Sequence, residues 1–407
     1  MRCGLLGRTL GHSYSPQIHS QLGTYAYDLF EVEPEDLEAF LKSGSFHGLN
    51  VTIPYKKAVI PYLNALTPIA QELGAVNTII RQPNGRLLGH NTDYFGFLAL
   101  VRSSGLDLAK KKVLVLGSGG ASNMAVAALQ SLNAQPVVIS RRGKYNYENL
   151  GLHEDASAIV NATPVGMYPN TGVSPVDLSR FPHLEGVLDL IYNPARTQLL
   201  LDAEARGLIA VNGLKMLVAQ AWESSQWFQG ALLPEEKIAS IYRSLRSQME
   251  NLVLIGMPGC GKSTLGALAA EKLGKKFVDA DALLEEKYGP IPEIITRKGE
   301  AYFRQLETEV LSELGKQSSL VIATGGGCVT RSENYPLLHQ NGRIVFIRRP
   351  LSQLPTEGRP LSQQQGLEAL YHKRLPLYTR FADEAVDNSG SLSEAVQKIE
   401  SLWRKDL

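Results

Sequence analysis

Leu252-Val253-Leu254-Ile255-Gly256-Met257-Pro258-Gly259-Cys260-Gly261-Lys262-Ser263 decides the fold of the second half of the chain: an apolar run, a glycine loop, then the start of a helix-like stretch. It meets the pattern Gly-x-x-x-x-Gly-Lys-Ser in full. In that pattern the backbone N–H groups point inward to phosphate oxygens, the lysine reaches the terminal phosphates and the hydroxyl ligates magnesium. Upstream, Val113-Leu114-Val115-Leu116 runs into Gly117-Ser118-Gly119-Gly120 and then an alanine-rich helical stretch over 125–129. That order is what a dinucleotide fold requires. The two loops are of different kinds, and a chain carrying both reads most simply as a dehydrogenase joined to a kinase.

The whole-chain properties fit two or three domains, because 407 residues are too many for one ordinary domain. With 44% apolar and 20% charged residues the chain can bury full cores. A net charge of +1 provides no bulk field toward nucleic acid or an anionic membrane, so any anion site must be local. Cys3, Cys260 and Cys328 have neither metal-ligand spacing nor the even count of a disulfide framework. Met1-Arg2-Cys3-Gly4-Leu5-Leu6-Gly7 lacks the pattern of a signal peptide, and no apolar run approaches the ~20 residues of a membrane span. The expectation is a cytoplasmic protein that works on small molecules, with neither nucleic acid nor membrane as partner.

Short apolar runs alternate with helix-like segments through the first ~95 residues, as in an open α/β layer. Glu33-Pro34-Glu35-Asp36-Leu37 reads as a helix start. From residue 113 the strands expected are 113–116, 136–139, 158–160, 186–190 and 210–211, spaced for a parallel, doubly wound sheet. Helical patterns follow over 214–227 and 234–245, the second with Ile238, Ile241, Tyr242 and Leu245 on one face. A short, stiff joint is expected near 246–250.

About twenty residues after the first glycine loop, an NAD fold places an acid for the ribose hydroxyls, whereas NADP needs a cation for the 2′-phosphate. Here Ser140-Arg141-Arg142 follows the strand, with no acid, so NADP is favoured. Four polar loops stand between apolar strands: Gly11-His12-Ser13-Tyr14-Ser15-Pro16, Gly48-Leu49-Asn50-Val51-Thr52-Ile53-Pro54-Tyr55-Lys56, Gly74-Ala75-Val76-Asn77-Thr78 and Gly89-His90-Asn91-Thr92-Asp93-Tyr94-Phe95-Gly96. Such loops are expected at the carboxyl ends of an α/β sheet.

Residues 1–245 resemble shikimate dehydrogenase. The resemblance rests on Ser13-Tyr14-Ser15-Pro16, Asn50-Val51-Thr52-Ile53-Pro54-Tyr55-Lys56, Asn91-Thr92-Asp93, Asn161-Ala162-Thr163-Pro164-Val165-Gly166-Met167, Asp189-Leu190-Ile191-Tyr192-Asn193-Pro194 and Asn212-Gly213-Leu214-Lys215-Met216-Leu217. It implies reduction of 3-dehydroshikimate to shikimate by NADPH, with Lys56 and Asp93 as the catalytic pair. By the same resemblance Ser13 and Ser15 would bind the substrate carboxylate. Asn50, Thr52, Asn77, Asp93 and Gln220 would hold ring hydroxyls, and Tyr192, also a substrate contact, lies with Gly213 and Met216 near the nicotinamide. Gly117, Ser118, Gly119, Gly120 and Ala121, with Ser140, Arg141 and Arg142, would bind NADP(H). The family often has Asn-Arg-Thr where this chain has Ser140-Arg141-Arg142, so the departure falls on Ser140.

In the second half, the absence of an Asn-Lys-x-Asp signature, and a late strand over 344–347 running into Arg348-Arg349, argue against a GTPase. Phe277-Val278-Asp279-Ala280-Asp281 has alternating acids, which at a strand end would point to one side, toward a metal water and an acceptor hydroxyl. With Gly299-Glu300-Ala301-Tyr302-Phe303-Arg304-Gln305-Leu306-Glu307, Thr324-Gly325-Gly326-Gly327, Gly358-Arg359-Pro360-Leu361 and Arg374-Leu375-Pro376-Leu377-Tyr378, residues 250–407 resemble shikimate kinase. The resemblance implies MgATP-dependent phosphorylation of shikimate, with Asp281 as base and Lys262 on the transferred phosphate. Arg304 and Arg374 would clamp the substrate carboxylate, and Gly325, Gly326 and Gly327 would line the ring. Gly256, Gly259, Gly261, Lys262, Ser263, Thr264 and Arg359 would hold ATP, and Ser263 and Asp279 the Mg2+. Between Arg349 and Arg359 the chain departs from the family: Leu354-Pro355-Thr356 stands where an adenine-packing arginine is usual.

The fold expected is α/β throughout. Residues 1–97, completed by helices over 214–245, form a substrate domain, 98–213 a Rossmann NADP-binding domain, and 250–407 a P-loop kinase domain with a central parallel sheet. Two rival readings are a dehydrogenase half that uses quinate, and a ligand-sensing pseudo-enzyme. Intact Lys56, Asp93, Lys262 and Asp281, with no basic DNA-binding appendage, weigh against the second.

Overall fold

Arg2-Cys3-Gly4-Leu5-Leu6-Gly7 is buried at every position but the first, the signature of a strand covered on both faces, and it forms the inner strand β1 (Arg2–Gly7). β1 pairs in parallel with β2 (Ala26–Glu31) and β3 (Gly48–Val51). With β4 (Ala65–Leu66), β5 (Thr78–Arg81) and β6 (Leu87–His90) they make a six-stranded sheet of order β2-β1-β3-β5-β6-β4. β5 runs antiparallel to both β3 and β6. This corrects one expectation. The loop over 74–78 leads into the amino end of an antiparallel strand, yet the register Asn50↔Thr78 and Thr78↔His90 brings it to the edge where β3 and β6 end.

The second sheet is parallel throughout: β7 (Lys112–Leu116), β8 (Gln135–Ile139), β9 (Ala158–Asn161), β10 (Gly186–Asp189) and β11 (Ile209–Val211), in the order β11-β10-β9-β7-β8. β8 and β9 leave β7 on opposite sides. The crevice outside the carboxyl end of β7, where strand order reverses, is therefore the place for a dinucleotide. Phe97 and Leu100 from the helix Asp93–Ser104 and Ala125 and Leu129 from Gly120–Ser131 pack on Val113 and Val115.

The third sheet, also parallel, has the order β13-β14-β12-β15-β16, from β12 (Asn251–Ile255), β13 (Lys276–Asp279), β14 (Leu320–Ala323), β15 (Gly342–Arg348) and β16 (Glu384–Asp387). β12 is central and buried at all five positions, which explains its unbroken apolar run. The joint expected at 246–250 is mostly helix: Glu236–Met249 runs through it and leaves only Glu250 before β12. Glu33-Pro34-Glu35-Asp36-Leu37 begins with one 3-10 turn, Pro34–Asp36, before the helix Leu37–Lys42.

The computed structural model describes residues 1–11, 13–354 and 366–405. The chain forms two units: Met1–Val165, Ser174–Tyr192 and Asp202–Arg243 in one, and Gly166–Val173, Asn193–Leu201 and Ser244–Leu407 in the other. The first two sheets lie in the former and the third in the latter. Among the described residues no helix is long and apolar enough to cross a membrane.

Candidate active sites

In the first unit, Ser13, Ser15, Asn50, Thr52, Lys56, Asn77, Asp93, Tyr192, Gly213, Met216 and Gln220 all line one cavity of about 260 Å³. They come from segments more than two hundred residues apart, gathered by the sheet edge described above and by the helix Leu214–Gln229. Lys56 Nζ donates to Asp93 Oδ2 over 2.6 Å, and both side chains are partly open, 35% and 18% exposed. Asp93 stands in the first turn of its helix, where the backbone dipole favours its charge. The Ser15 N–H donates to Ser13 Oγ (3.2 Å) where the helix Ser15–Leu22 begins, an N-terminus suited to a carboxylate.

A buried polar network holds the cavity wall. Thr92 N donates to Asn77 Oδ1 (2.7 Å), Asn77 Nδ2 to Thr92 Oγ1 (3.1 Å), and Asn50 Nδ2 to Thr78 Oγ1 (3.3 Å). Tyr27 OH donates to Asn50 Oδ1 at 2.7 Å. Tyr27, Thr78 and Thr92 were not among the expected site residues. Tyr27 lies on an edge strand with no polar loop around it, so nothing in its local pattern marks it. Tyr192 meets Tyr14 edge-to-face at 6.2 Å, and burial, with Tyr14 beside it, pushes its phenol up.

Gly213 closes the cavity because only a glycine fits: its N–H donates to Ile191 O, and an added Cβ would lie 2.2 Å from Leu190 O. At the neighbouring sheet, Gly117 donates to Ile139 O and accepts from Ser122 Oγ (2.8 Å). Residues 118–121 are exposed and open the helix Gly120–Ser131. The register Leu116↔Ile139 brings Ser140, Arg141 and Arg142 beside that loop, with both guanidinium groups exposed. An open helix N-terminus flanked by two cations fits a dinucleotide with an extra phosphate.

In the second unit, Gly261 takes φ +99° at the start of the helix Lys262–Leu273, and an added Cβ would strike Asn388 Nδ2 at 2.6 Å, so glycine is required twice over. Lys262 is buried, its Nζ donating to Gly256 O (3.0 Å) and Met257 O (3.1 Å) across the loop. Ser263 Oγ donates to Asp279 Oδ2 at 2.5 Å. The alternation argument for the two acids does not hold. Asp279 ends β13 and caps the helix Ala280–Tyr288, its Oδ1 accepting from Asp281 N and Ala282 N, while Asp281 sits in that helix's first turn. Two acids at a helix start share the site through capping rather than strand pleat.

Burial, joined by the Glu307 carboxylate, pushes Asp281 up to about 6. Glu307 Oε2 accepts from Arg304 Nη1 (2.8 Å), and Arg304 also bonds Glu300. Arg374 Nη1 donates to Gly326 O (3.0 Å). Arg304 packs on Gly327, and Gly325 faces Asp281 and Glu307, so the expected acid, arginines and glycines meet at one place. Arg359 falls outside the described residues. Thr264 is exposed in the first turn after Ser263.

The Ser263–Asp279 contact also tests the fit for magnesium. Among the described residues no group of three His, Cys, Asp or Glu could hold a metal. A hydroxyl and one carboxylate beside a phosphate loop are nevertheless what magnesium uses when phosphates and water complete its shell.

Comparison with known proteins finds two families. The family described as "Shikimate dehydrogenase substrate binding domain" matches residues 5–79, and that described as "Shikimate kinase" matches 258–403. A shikimate dehydrogenase (NADP(+)) of Clostridium perfringens strain SM101 is 34% identical over 266 residues, 60% of this chain and 97% of the relative. The crystal structure of shikimate dehydrogenase 1 from Peptoclostridium difficile is 37% identical, with a TM-score of 0.55, covering 60% of this chain and 97% of that one. The Thermus thermophilus shikimate 5-dehydrogenase in complex with NADP(H) and shikimate is 32% identical, with a TM-score of 0.55 and coverage of 60% and 99%.

Proposed function

The chain belongs to the shikimate dehydrogenase family through its N-terminal 60% and carries a shikimate kinase domain after it, and from that premise we propose how its residues divide two reactions. It is a bifunctional enzyme that reduces 3-dehydroshikimate to shikimate with NADPH and phosphorylates shikimate to shikimate 3-phosphate with ATP. The observation that carries the residue assignment is the meeting of Lys56 and Asp93 at 2.6 Å in a cavity lined by every substrate ligand proposed for this half.

NADPH supplies the hydride. As the substrate carbonyl is reduced, negative charge builds on its oxygen. The Lys56 ammonium stabilises that charge and gives up the proton that makes the alcohol. Asp93 holds the ammonium in line. Ser13 and Ser15 take the ring carboxylate at their helix N-terminus, and Asn50, Thr52, Asn77 and Gln220 hold hydroxyls. Arg141 and Arg142 take the 2′-phosphate of the cofactor.

In the kinase half ATP supplies the phosphoryl group. Asp281, raised to about 6 and ionised above that pH, accepts the proton of the attacking 3-hydroxyl, while Arg304 and Arg374 fix the carboxylate as guanidinium forks. Lys262 swings its charge from the loop carbonyls to the phosphates, and Ser263 with Asp279 would hold Mg2+, which neutralises phosphate charge. The domain division 1–97 with 214–245, 98–213 and 250–407 is part of the proposal, supported by one sheet in each. So is a cytoplasmic location, supported by the three cysteines, all buried and free.

A coupled assay tests the assignment. Purified protein given dehydroshikimate and NADPH should oxidise the cofactor, and ATP added afterwards should release ADP only once shikimate has formed. ADP release without prior reduction, or none after it, would break the assignment.

A further inference from the structure

Asn50 faces the dehydrogenase cavity with an amide whose two ends are nearly the same size, and its neighbours decide which end does what. One oxygen, the phenol of Tyr27, dominates that choice. It donates to Asn50 Oδ1 at 2.7 Å, whereas the Ser224 hydroxyl reaches the same atom only at 3.5 Å. Asn50 is buried, so without that phenol its amide oxygen would lose its one close donor. With Oδ1 engaged and one amide hydrogen given to Thr78 Oγ1 at 3.3 Å, the second amide hydrogen remains for the cavity.

The phenol itself is immobilised from behind. The Tyr27 ring stacks on His19, with centroids 4.0 Å apart and planes 9° from parallel. His19 Nδ1 lies 2.7 Å from Tyr25 OH, which in turn donates to Ser225 Oγ at 2.7 Å. Tyr25, having donated its hydrogen to Ser225, accepts from His19, so His19 carries its proton on Nδ1. Burial pushes His19 down to about 3, which favours the neutral ring. A neutral ring stacked on Tyr27 fixes where the phenol points without adding charge to the site.

We propose that Tyr27 is a positioning residue for the dehydrogenase reaction: its hydroxyl locks the Asn50 amide so that an N–H, rather than the carbonyl, meets a ring hydroxyl of the substrate. Tyr27 touches no substrate atom in this account. It sets affinity and selectivity for the hydroxylated ring and leaves the proton transfer at Lys56 alone. The inference rests on Asn50 being a substrate ligand.

The test is a double-mutant cycle read in the shikimate-oxidising direction, with KM and kcat for shikimate and KM for NADP+ measured on the full chain. Tyr27→Phe should raise the shikimate KM about tenfold, as for a lost buried hydrogen bond. It should leave kcat and the KM for NADP+ within about twofold, and kinase activity intact. Asn50→Ala should also raise the shikimate KM, and adding Tyr27→Phe to it should change it by far less than tenfold, because most of the phenol's effect runs through that amide and only its side-chain contact to Ser15 remains. Tyr25→Phe loosens the His19 ring behind Tyr27 but spares the bond to Asn50, and should raise the shikimate KM by no more than about twofold. Additive effects of Tyr27→Phe and Asn50→Ala, or an equal rise in Tyr25→Phe, would overturn the positioning role. An unchanged KM in Asn50→Ala would instead remove the substrate-ligand reading beneath it.

Discussion

Glu307→Gln perturbs Asp281, the base proposed for the kinase, through charge alone. Glu307 is 2% exposed, its Oε2 pairs with Arg304 at 2.8 Å, and its Oε1 is buried without a hydrogen-bond partner. That oxygen and Asp281 Oδ1 lie 2.5 and 2.6 Å from a common point beside Gly325. They are thus no more than about 5 Å apart, where a full charge acts with about 3 kcal/mol at an effective dielectric constant of about 20. The paired Arg304 offsets much of this, leaving a net effect on the order of one pK unit, or about 1.4 kcal/mol. Asp281 is raised to about 6, so the base is ionised above that pH and phosphorylation falls as pH drops through it. Glutamine keeps an acceptor for Arg304 but removes the negative neighbour and leaves the guanidinium charge uncancelled. Both changes favour the Asp281 carboxylate. The acid limb of kinase kcat/KM for shikimate should therefore move down by about one pH unit, since kcat/KM reports the free enzyme. The profile is taken by ADP release from about pH 5 to about pH 8, with dehydrogenase activity of the same chain as the control. An acid limb that stays put, or moves up, refutes the reasoning.

Two further outcomes follow from the geometry. Ser263→Ala should raise the magnesium concentration for half-maximal kinase activity about tenfold, because one of few protein ligands is lost; titrating Mg2+ checks this, and dehydrogenase activity should ignore both the substitution and a chelator. Arg141→Ala should weaken NADPH about tenfold or more while leaving any use of NADH nearly unchanged, because the role proposed for that guanidinium is to hold the 2′-phosphate. Steady-state KM values for both nucleotides decide it.

Much of this was legible in the sequence because the signals were local. The buried strand β12 and its loop are contiguous, and so are β7 and the turn at Gly117, so apolar run, glycine and helix could be read in order. Other features depended on long-range register. The antiparallel course of β5, which brings Asn77 to the ends of β3 and β6, leaves no mark in the residues of its own loop. Tyr27 acts across β1 on a strand more than twenty residues away, and an edge-strand tyrosine looks like any other. The spacing of Asp279 and Asp281 suggests strand alternation where the chain instead caps a helix, because a strand end and a helix cap share the same spacing at that point.

The central claim is that two self-sufficient sites stand in one chain, and mixing two crippled proteins tests it most directly. Lys56→Ala should lose about 10²–10⁴-fold of dehydrogenase turnover and keep kinase activity, and Lys262→Ala should do the reverse. Combined in one tube with dehydroshikimate, NADPH and ATP, they should form shikimate 3-phosphate, which neither makes at an appreciable rate alone. If either substitution silenced both activities, or the mixture stayed inactive, the claim would be contradicted.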